Sequence, residues 1–483
     1  MPIRYLTAAA VRAAEAATGD LLTSGVLMQR AAHGVAQVVT AELTRTGGVY
    51  GRRVGVVAGA GDNGGDALFA GAALARRGVA IAAVLLAPDH AHPGGLAALR
   101  AAGGRVVPHL PAGLDVVIDG VVGIGGRGPL RPAAAAVFAE VGPSTTVVAV
   151  DQPSGVDADT GVVGDPAVRA DITVTFGGRR NAHLLAAPQC GRIEVIDIGL
   201  PADTAGPRPS APALFALSDA EVAAAWPVPG PHDDKYTQGV VGIVAGSNRY
   251  PGAAILSTGG AVTATSGMTR YVGSARAEVL AHFPEVVAAP EIADAGRVQA
   301  WVIGPGGGTD DAARARLAAV LATDLPVLVD ADALTVLAAH PDLVVGRAAP
   351  TLLTPHAGEF ARLAGEPVGD DRLASVTGLA RRWGVTVLLK GRITLVAQPD
   401  GTVFGNDAGA SWAATAGAGD VLAGIAGALL AAGLPPLWAG AAAARVHARA
   451  ALLAASGAPI GASALLAAVR PAIRALLVVT PKG

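Results

Sequence analysis

Short apolar runs recur along this chain, and alanine-rich stretches of helical length separate several of them. In the first half the runs are Val54–Val57, Val79–Leu86, Val116–Val121, Val147–Val150, Ile172–Phe176 and Ile193–Ile198. Apolar runs of this length alternating with helical stretches predict a parallel sheet with crossover helices. The pattern stops at PADTAGPRPSAP (Pro201–Pro212), whose composition reads as a linker, and then restarts. Later strands are expected within Val240–Ser247, Val298–Gly308, Val327–Leu334, Thr351–Phe360 and Val385–Gly391. Ile393–Gly405 reads as a hairpin turning at Pro399-Asp400-Gly401. Two α/β domains are therefore expected, residues 1–212 and 213–483.

The uncharged stretch Val421–Ala444 is long enough to raise the question of a membrane span. Gly433 and the Pro435-Pro436 pair break it, so two buried helices joined by a turn are expected instead. Composition narrows the function classes further. With 15% charged residues and a net charge of −2, nothing favours nucleic acid or an anionic membrane as a partner. The lone Cys190 excludes an internal disulfide and points to a reducing compartment. The first twenty residues contain no continuous apolar core, so no signal peptide is expected and a cytoplasmic location is. Lysine is scarce: Lys235, Lys390 and Lys482 are the only ones among 36 basic residues. A chain that otherwise uses arginine keeps lysine where a compact ammonium is needed. Lys235 and Lys390 fall beside candidate nucleotide motifs, whereas Lys482 lies in the tail.

Candidate chemistry concentrates at strand ends. GAGDNGGDALFAG (Gly59–Gly71) and TAGAGDVLAG (Thr415–Gly424) are glycine-and-aspartate loops in different halves of the chain. A glycine turn opening a helix aims free N–H groups at a phosphate. An aspartate there is repelled by phosphate unless a cation or a transferred proton gives it a task, so two such loops suggest two active sites. In the first half the strand tails GAGDNGGD, DGVVGIGGRG and DQPSGVD should converge on one crevice, because ligands of open α/β sheets bind beyond the carboxyl ends of strands.

TAGAGDVLAG resembles the signature of the ribokinase-like superfamily. Its companions are DDKYTQG (Asp233–Gly239), AGS, GPGGG, VDADAL, TPHAGE and LLKG followed by Thr394. In that order they resemble the ADP-dependent NAD(P)H-hydrate dehydratases across nearly all of residues 220–483. The resemblance implies a ribokinase-like α/β domain that phosphorylates the 6-hydroxyl of a hydrated nicotinamide from ADP with Mg²⁺, after which phosphate elimination restores NAD(P)H. Asp420 would be the catalytic base, and Ala253, Gly306, Gly308 and His356 would contact the hydrated cofactor. Lys390, Gly391, Arg392, Ile393, Thr394 and Gly419 would hold the nucleotide. SWAAT, around Trp412, departs from the Pro-Gly-Met-Ala-Thr pattern that usually precedes this loop.

GAGDNGGDA and LMQRAAHGVA (Leu27–Ala36) resemble the NAD(P)H-hydrate epimerases over about residues 1–200. Here Asp62 stands for the first asparagine of the usual loop, and Ala67 for its last glycine. The resemblance implies a Rossmann-like three-layer domain. Asn63, Asp119 and Ser154 fall where the family coordinates potassium, an ion suited to such hard oxygen ligands. Asp62, Asn63, Gly64, Gly65 and Asp66 fall at its substrate-binding positions, as do Gly123, Ile124, Gly125, Gly126, Arg127, Gly128 and Pro129. Asp151 would contact the substrate and act in catalysis, with Arg127 offsetting the extra charge of Asp62. Together the halves imply a bifunctional, homo-oligomeric enzyme repairing NADHX and NADPHX. The competing possibility is a vitamin or sugar kinase of the ribokinase type fused to a non-catalytic dinucleotide-binding domain.

Overall fold

The computed structural model describes residues 1–201 and 213–479. The chain divides into two compact units, Arg4–Ser210 and Ala211–Gly483, the latter also taking in Met1–Ile3. Apart from Pro201, the expected linker lies outside the described residues, as do Lys482 and the expected boundary at 212/213.

In the first unit seven strands form a wholly parallel sheet. Their order is Arg105–Val106, Ala80–Leu85, Arg53–Ala58, Val116–Gly120, Thr146–Val150, Ile172–Phe176 and Arg192–Ile196. Both faces are covered because successive side chains point to opposite sides. Val54 and Val56 pack with Val35, Val39 and Leu43 of the helix Val26–Arg45. Val57 and Val117 face the other way, against Val137 and Phe138 of the helix Pro132–Ala139. Three layers result, and the strands bearing the GAGD, DGVV and DQPS tails are adjacent.

The second unit carries the order Val287–Ala289, Met268–Val272, Val240–Val244, Ala300–Ile303, Val327–Val329, Thr351–Leu353 and Thr386–Leu389 in parallel. Ile393–Ala397 then runs antiparallel, and Thr402–Asp407 completes the hairpin at Pro399-Asp400-Gly401. Several strands are shorter than their apolar runs because the runs continue into loops and helix starts. Val327–Val329, for example, stops before the helix Asp332–Ala339.

The uncharged stretch splits into the helices Ala418–Ala431 and Pro436–Ala455, and no described helix is long and apolar enough to cross a membrane. Small residues let Ala418–Ala431 lie against the helix Pro251–Ala264: a Cβ at Gly424 would fall 2.0 Å from the Ser257 carbonyl oxygen. This close approach holds the GAGD helix start against the helix that begins near Ala253.

Candidate active sites

In the second unit, Lys390 lies just past the strand Thr386–Leu389, and its amide donates to the Pro355 carbonyl at 2.8 Å. Its Nζ is 2.8 Å from Asp330 Oδ1 and 3.5 Å from Glu359 Oε2. Burial alone would lower the ammonium's pKa, but Asp330 and Glu359 override it and hold Lys390 above its usual range. Gly417, at φ 85, makes the left-handed entry to the helix Ala418–Ala431. The first turn of that helix brings Gly419 towards the ammonium: a Cβ there would lie 3.4 Å from Lys390 Nζ. His447 Nε2 donates to the Ala418 carbonyl at 2.9 Å, and burial lowers its pKa to about 4, so a neutral ring pins this turn.

Asp420 stands one residue further on. Burial pushes its carboxyl up to about 7, with Asp330 adding to the effect and Lys390 only partly offsetting it. A base poised near neutrality suits proton abstraction. His356 caps the helix Ala357–Ala364: its Nδ1 accepts from the Gly358 and Glu359 amides, and its Nε2 lies 3.5 Å from Glu359 Oε1. Its exposed ring therefore has a fixed orientation. Arg392 bonds Asp407 at 3.2 Å, Ile393 is buried in its strand, and the Thr394 hydroxyl donates to the Gly391 carbonyl at 3.0 Å.

A cleft of about 830 Å³ has Asp332 in its wall, while Lys390, Asp420 and His356 do not line it. Gly308 lines it, and the Gly308 amide donates to Asp332 Oδ2 at 3.0 Å. Gly306 packs against Ala253: a Cβ at Gly306 would lie 2.8 Å from the Ala253 Cβ. Lys235 does not join the group: it is exposed, 5.2 Å above the Tyr236 ring. Trp412, within the unusual SWAAT segment, packs half-buried against the core. Asp330, Asp332 and His447 were missed from the sequence. VDADAL drew notice as a motif, but nothing in it singled out either aspartate.

In the first unit the three strand tails meet. Asp119 is fully buried, and Ser154 donates to it twice, through Oγ at 2.7 Å and through its amide at 2.8 Å. The Val121 amide also donates, at 3.2 Å, so Asp119 does cap its own turn. Burial nonetheless raises this carboxyl to about 6, and no cationic side chain acts on it. The Asn63 side chain lies against Gly123, its Nδ2 buried without a partner. The buried Asp119 carboxylate has no counter-charge and suits a monovalent cation held with Ser154 and the amide oxygen of Asn63; the unpartnered Nδ2 is a donor and would be no ligand.

Asp151 follows the strand Thr146–Val150 at φ 67, a conformation uncommon for a non-glycine residue. Its amide donates to Val174 O at 2.7 Å, and its carbonyl accepts from His183 Nε2 at 2.8 Å. His183 Nδ1 accepts the Arg180 amide at 3.0 Å, which fixes the tautomer. Burial takes this imidazole down to about 4. Arg180, 1% exposed, meets Asp151 Oδ1 at 2.8 Å, and Thr175 lies 3.1 Å from the same oxygen.

Glu15, from the helix Ala8–Ala16, also belongs to this group. Its pKa is raised by burial, with Arg180 opposing and Asp151 and Asp62 adding. Asp66 is pushed well above the usual carboxylate range by burial, then by Asp151, Asp62 and Glu15. The amides of Gly64 and Gly65 belong to the same helix start, and the loop Gly123–Pro129 flanks Asn63. Arg127 is 85% exposed and faces Asp157 at 4.0 Å. Arg180, His183, Thr175 and Glu15 were missed: the Gly177-Gly178 pair in TFGGRRNAH carries no aspartate to mark it as a site, and Glu15 lies in an alanine-rich helix.

The NAD(P)H-hydrate dehydratase family matches residues 241–470, and the YjeF-related protein N-terminus family matches residues 24–182. The bifunctional NAD(P)H-hydrate repair enzyme Nnr of Mycobacterium leprae is 59% identical over 479 residues, covering 98% of this chain and 99% of that one. The protein of that name from Mycobacterium tuberculosis is 60% identical over 433 residues, covering 89% of this chain and 90% of its own. Among solved structures, a ribokinase-like superfamily protein of Enterococcus faecalis superposes with a TM-score of 0.51 at 24% identity. It covers 55% of this chain and 96% of its own, a likeness of fold alone.

Proposed function

The chain belongs to the bifunctional NAD(P)H-hydrate repair enzymes, and from that premise we propose how its two sites divide the work. The first unit interconverts the R and S hydrates at C6 of the nicotinamide ring. The second dehydrates the S form at the expense of ADP. The observation that carries the second assignment is Asp420, held near neutrality at a helix start whose first turn faces the Lys390 ammonium.

Lys390 and the amides of the turn around Gly419 hold the nucleotide phosphates, with Gly391, Arg392, Ile393 and Thr394 beside them. Asp420 takes the proton of the 6-hydroxyl, whose oxygen attacks the terminal phosphorus of ADP as the bond to AMP breaks. Loss of a C5 proton with departure of phosphate from C6 then forms the C5–C6 double bond. Ala253, Gly306, Gly308 and His356 shape the wall that receives the hydrated ring.

Asp330, Asp332, Glu359 and Asp420 outnumber the one ammonium among them, so incoming phosphates need a further cation. Mg²⁺ fits: it binds through phosphates and one or two carboxylates rather than through an all-protein cage. Among the described residues no cluster of three or more His, Cys, Asp or Glu forms such a cage. Mg²⁺ supplies charge neutralisation at the transferred phosphoryl group. In the first unit potassium would be held by Asn63, Asp119 and Ser154, fixing the loops that carry Asp62–Asp66, Gly123–Pro129 and Asp151 around the substrate. A cytoplasmic homo-oligomer completes the proposal.

The test is recovery of the near-ultraviolet absorbance of reduced nicotinamide from hydrated NADH on addition of ADP and Mg²⁺. Accumulation of a stable phosphorylated product instead would replace the proposal with a small-molecule kinase.

A further inference from the structure

Two carboxyl groups in the first unit are treated in opposite ways. Asp151 receives Arg180 at 2.8 Å and Thr175 at 3.1 Å, both on Oδ1, which leaves Oδ2 for a ligand. Its backbone is clamped at both ends, by Val174 at the amide and by His183 at the carbonyl. Asp66, 9% exposed, has a buried Oδ1 without any partner. The charged groups acting on it are the carboxylates Asp151, Asp62 and Glu15, and no arginine is among them. Arg180 and Arg12 act instead on Glu15. A carboxyl that is buried, unpaired and faced by other carboxylates keeps its proton, whereas one paired with a buried guanidinium loses it. A buried, unpaired carboxyl beside one bound by a buried guanidinium is the arrangement of an acid and a base.

We propose that Asp66 is the general acid and Asp151 the general base of epimerisation, with Arg180 and His183 as positioning residues for Asp151. This rests on the epimerase assignment above. Asp151 removes the proton of the 6-hydroxyl, the oxygen's electron pair forms C6=O, and the C6–N1 bond breaks towards nitrogen. N1 takes the proton of Asp66, giving an open-chain aldehyde. Rotation about C5–C6 presents the opposite face. N1 then returns its proton to Asp66 and attacks the carbonyl carbon, while the oxygen recovers the proton held by Asp151. Atoms and charges balance, and both carboxyls end as they began. One acid and one base therefore serve both directions without a resetting step.

The experiment follows interconversion of purified R and S hydrates by the full-length chain and its variants. Wild type is expected to show a bell-shaped pH profile of kcat/KM. Asp66→Asn should lose the alkaline limb and about 10²–10⁴ in kcat, with KM little changed. Asp151→Asn should lose the acid limb. Arg180→Met should lower kcat with KM little changed, because Asp151 loses the 2.8 Å contact that orients it, and Arg180→Lys should recover part of that loss. Formate added to Asp66→Ala should restore part of kcat, an effect that a merely structural role for Asp66 would not give. An Asp66→Asn protein with wild-type kcat and both limbs overturns the assignment of the acid. Failure of the wild-type chain to interconvert the hydrates at any pH overturns the epimerase assignment itself.

Discussion

The Lys390 ammonium lies 2.8 Å from Asp330 Oδ1, and the aspartate it neutralises is 1% exposed. The pair comes from the ends of two strands with Thr351–Leu353 between them, and both members act on Asp420, so the cation proposed for phosphate binding already has a protein partner. Entering phosphates must share Lys390 with Asp330 and Glu359, and this links nucleotide affinity to the protein's own charge balance.

Replacing Lys390 with methionine leaves Asp330 buried without its counter-charge. Breaking such a pair costs about 3–5 kcal/mol. Adding Asp330→Asn should recover much of that loss while leaving ADP binding impaired. Denaturant unfolding and ADP titration of the single and double variants measure the two effects separately.

Asp420 links stability and activity in opposite directions. Its folded pKa of about 7 lies above the usual aspartate value of 3.8, so the folded chain holds a proton that the unfolded chain releases between those values. Stability from this group is fully present below about pH 4 and is lost as pH rises through 7. Asp420→Asn should therefore melt higher than wild type at pH 8, with the gap closing below pH 4. Its dehydration rate should fall by about 10²–10⁴. The wild-type kcat/KM for dehydration should rise with pH through about 7, and this limb should be absent in the variant.

Potassium should strengthen substrate binding and epimerisation, because an ion on Asn63, Asp119 and Ser154 offsets repulsion between the acidic loops and the substrate diphosphate. Asp119→Ala should abolish the dependence with little loss of fold. Potassium titrated against a bulky organic cation in sodium-free buffer reads this out, and a flat wild-type titration removes the ion from the mechanism.

Residues 1–212 and 213–483, produced separately, are expected to fold and keep separate activities. The second fragment should consume the S hydrate and leave the R form behind. Equal consumption of both epimers without the first fragment would contradict the division of labour.

Much of this was legible before any coordinates, for local reasons. Apolar runs of strand length separated by helical stretches imply parallel α/β units, and Pro435-Pro436 can only interrupt a helix. The DNGGD and GAGD turns announce themselves because only small residues allow such entries into a helix. The resemblance to the epimerases implied that Asp119 and Ser154 lie at one site, and they are hydrogen-bonded at 2.7 Å.

Arg127, expected to compensate at the substrate diphosphate for the charge of Asp62, is exposed and faces Asp157, a direction that sequence alone did not give. Lys235 was similarly suspected for its rarity and stands exposed.

The sequence by itself determined the class of fold, its two-part organisation and the loops on which chemistry could occur, since periodicity and turn residues are local properties of the chain. Only the tertiary structure decided which charges act on which. Arg180, His183 and Glu15 reach Asp151 and Asp66 from segments distant in sequence, and Asp330 reaches Lys390 across sixty positions. Protonation depends on burial and on the sign of the nearest charge, and both exist only after strands and helices have packed.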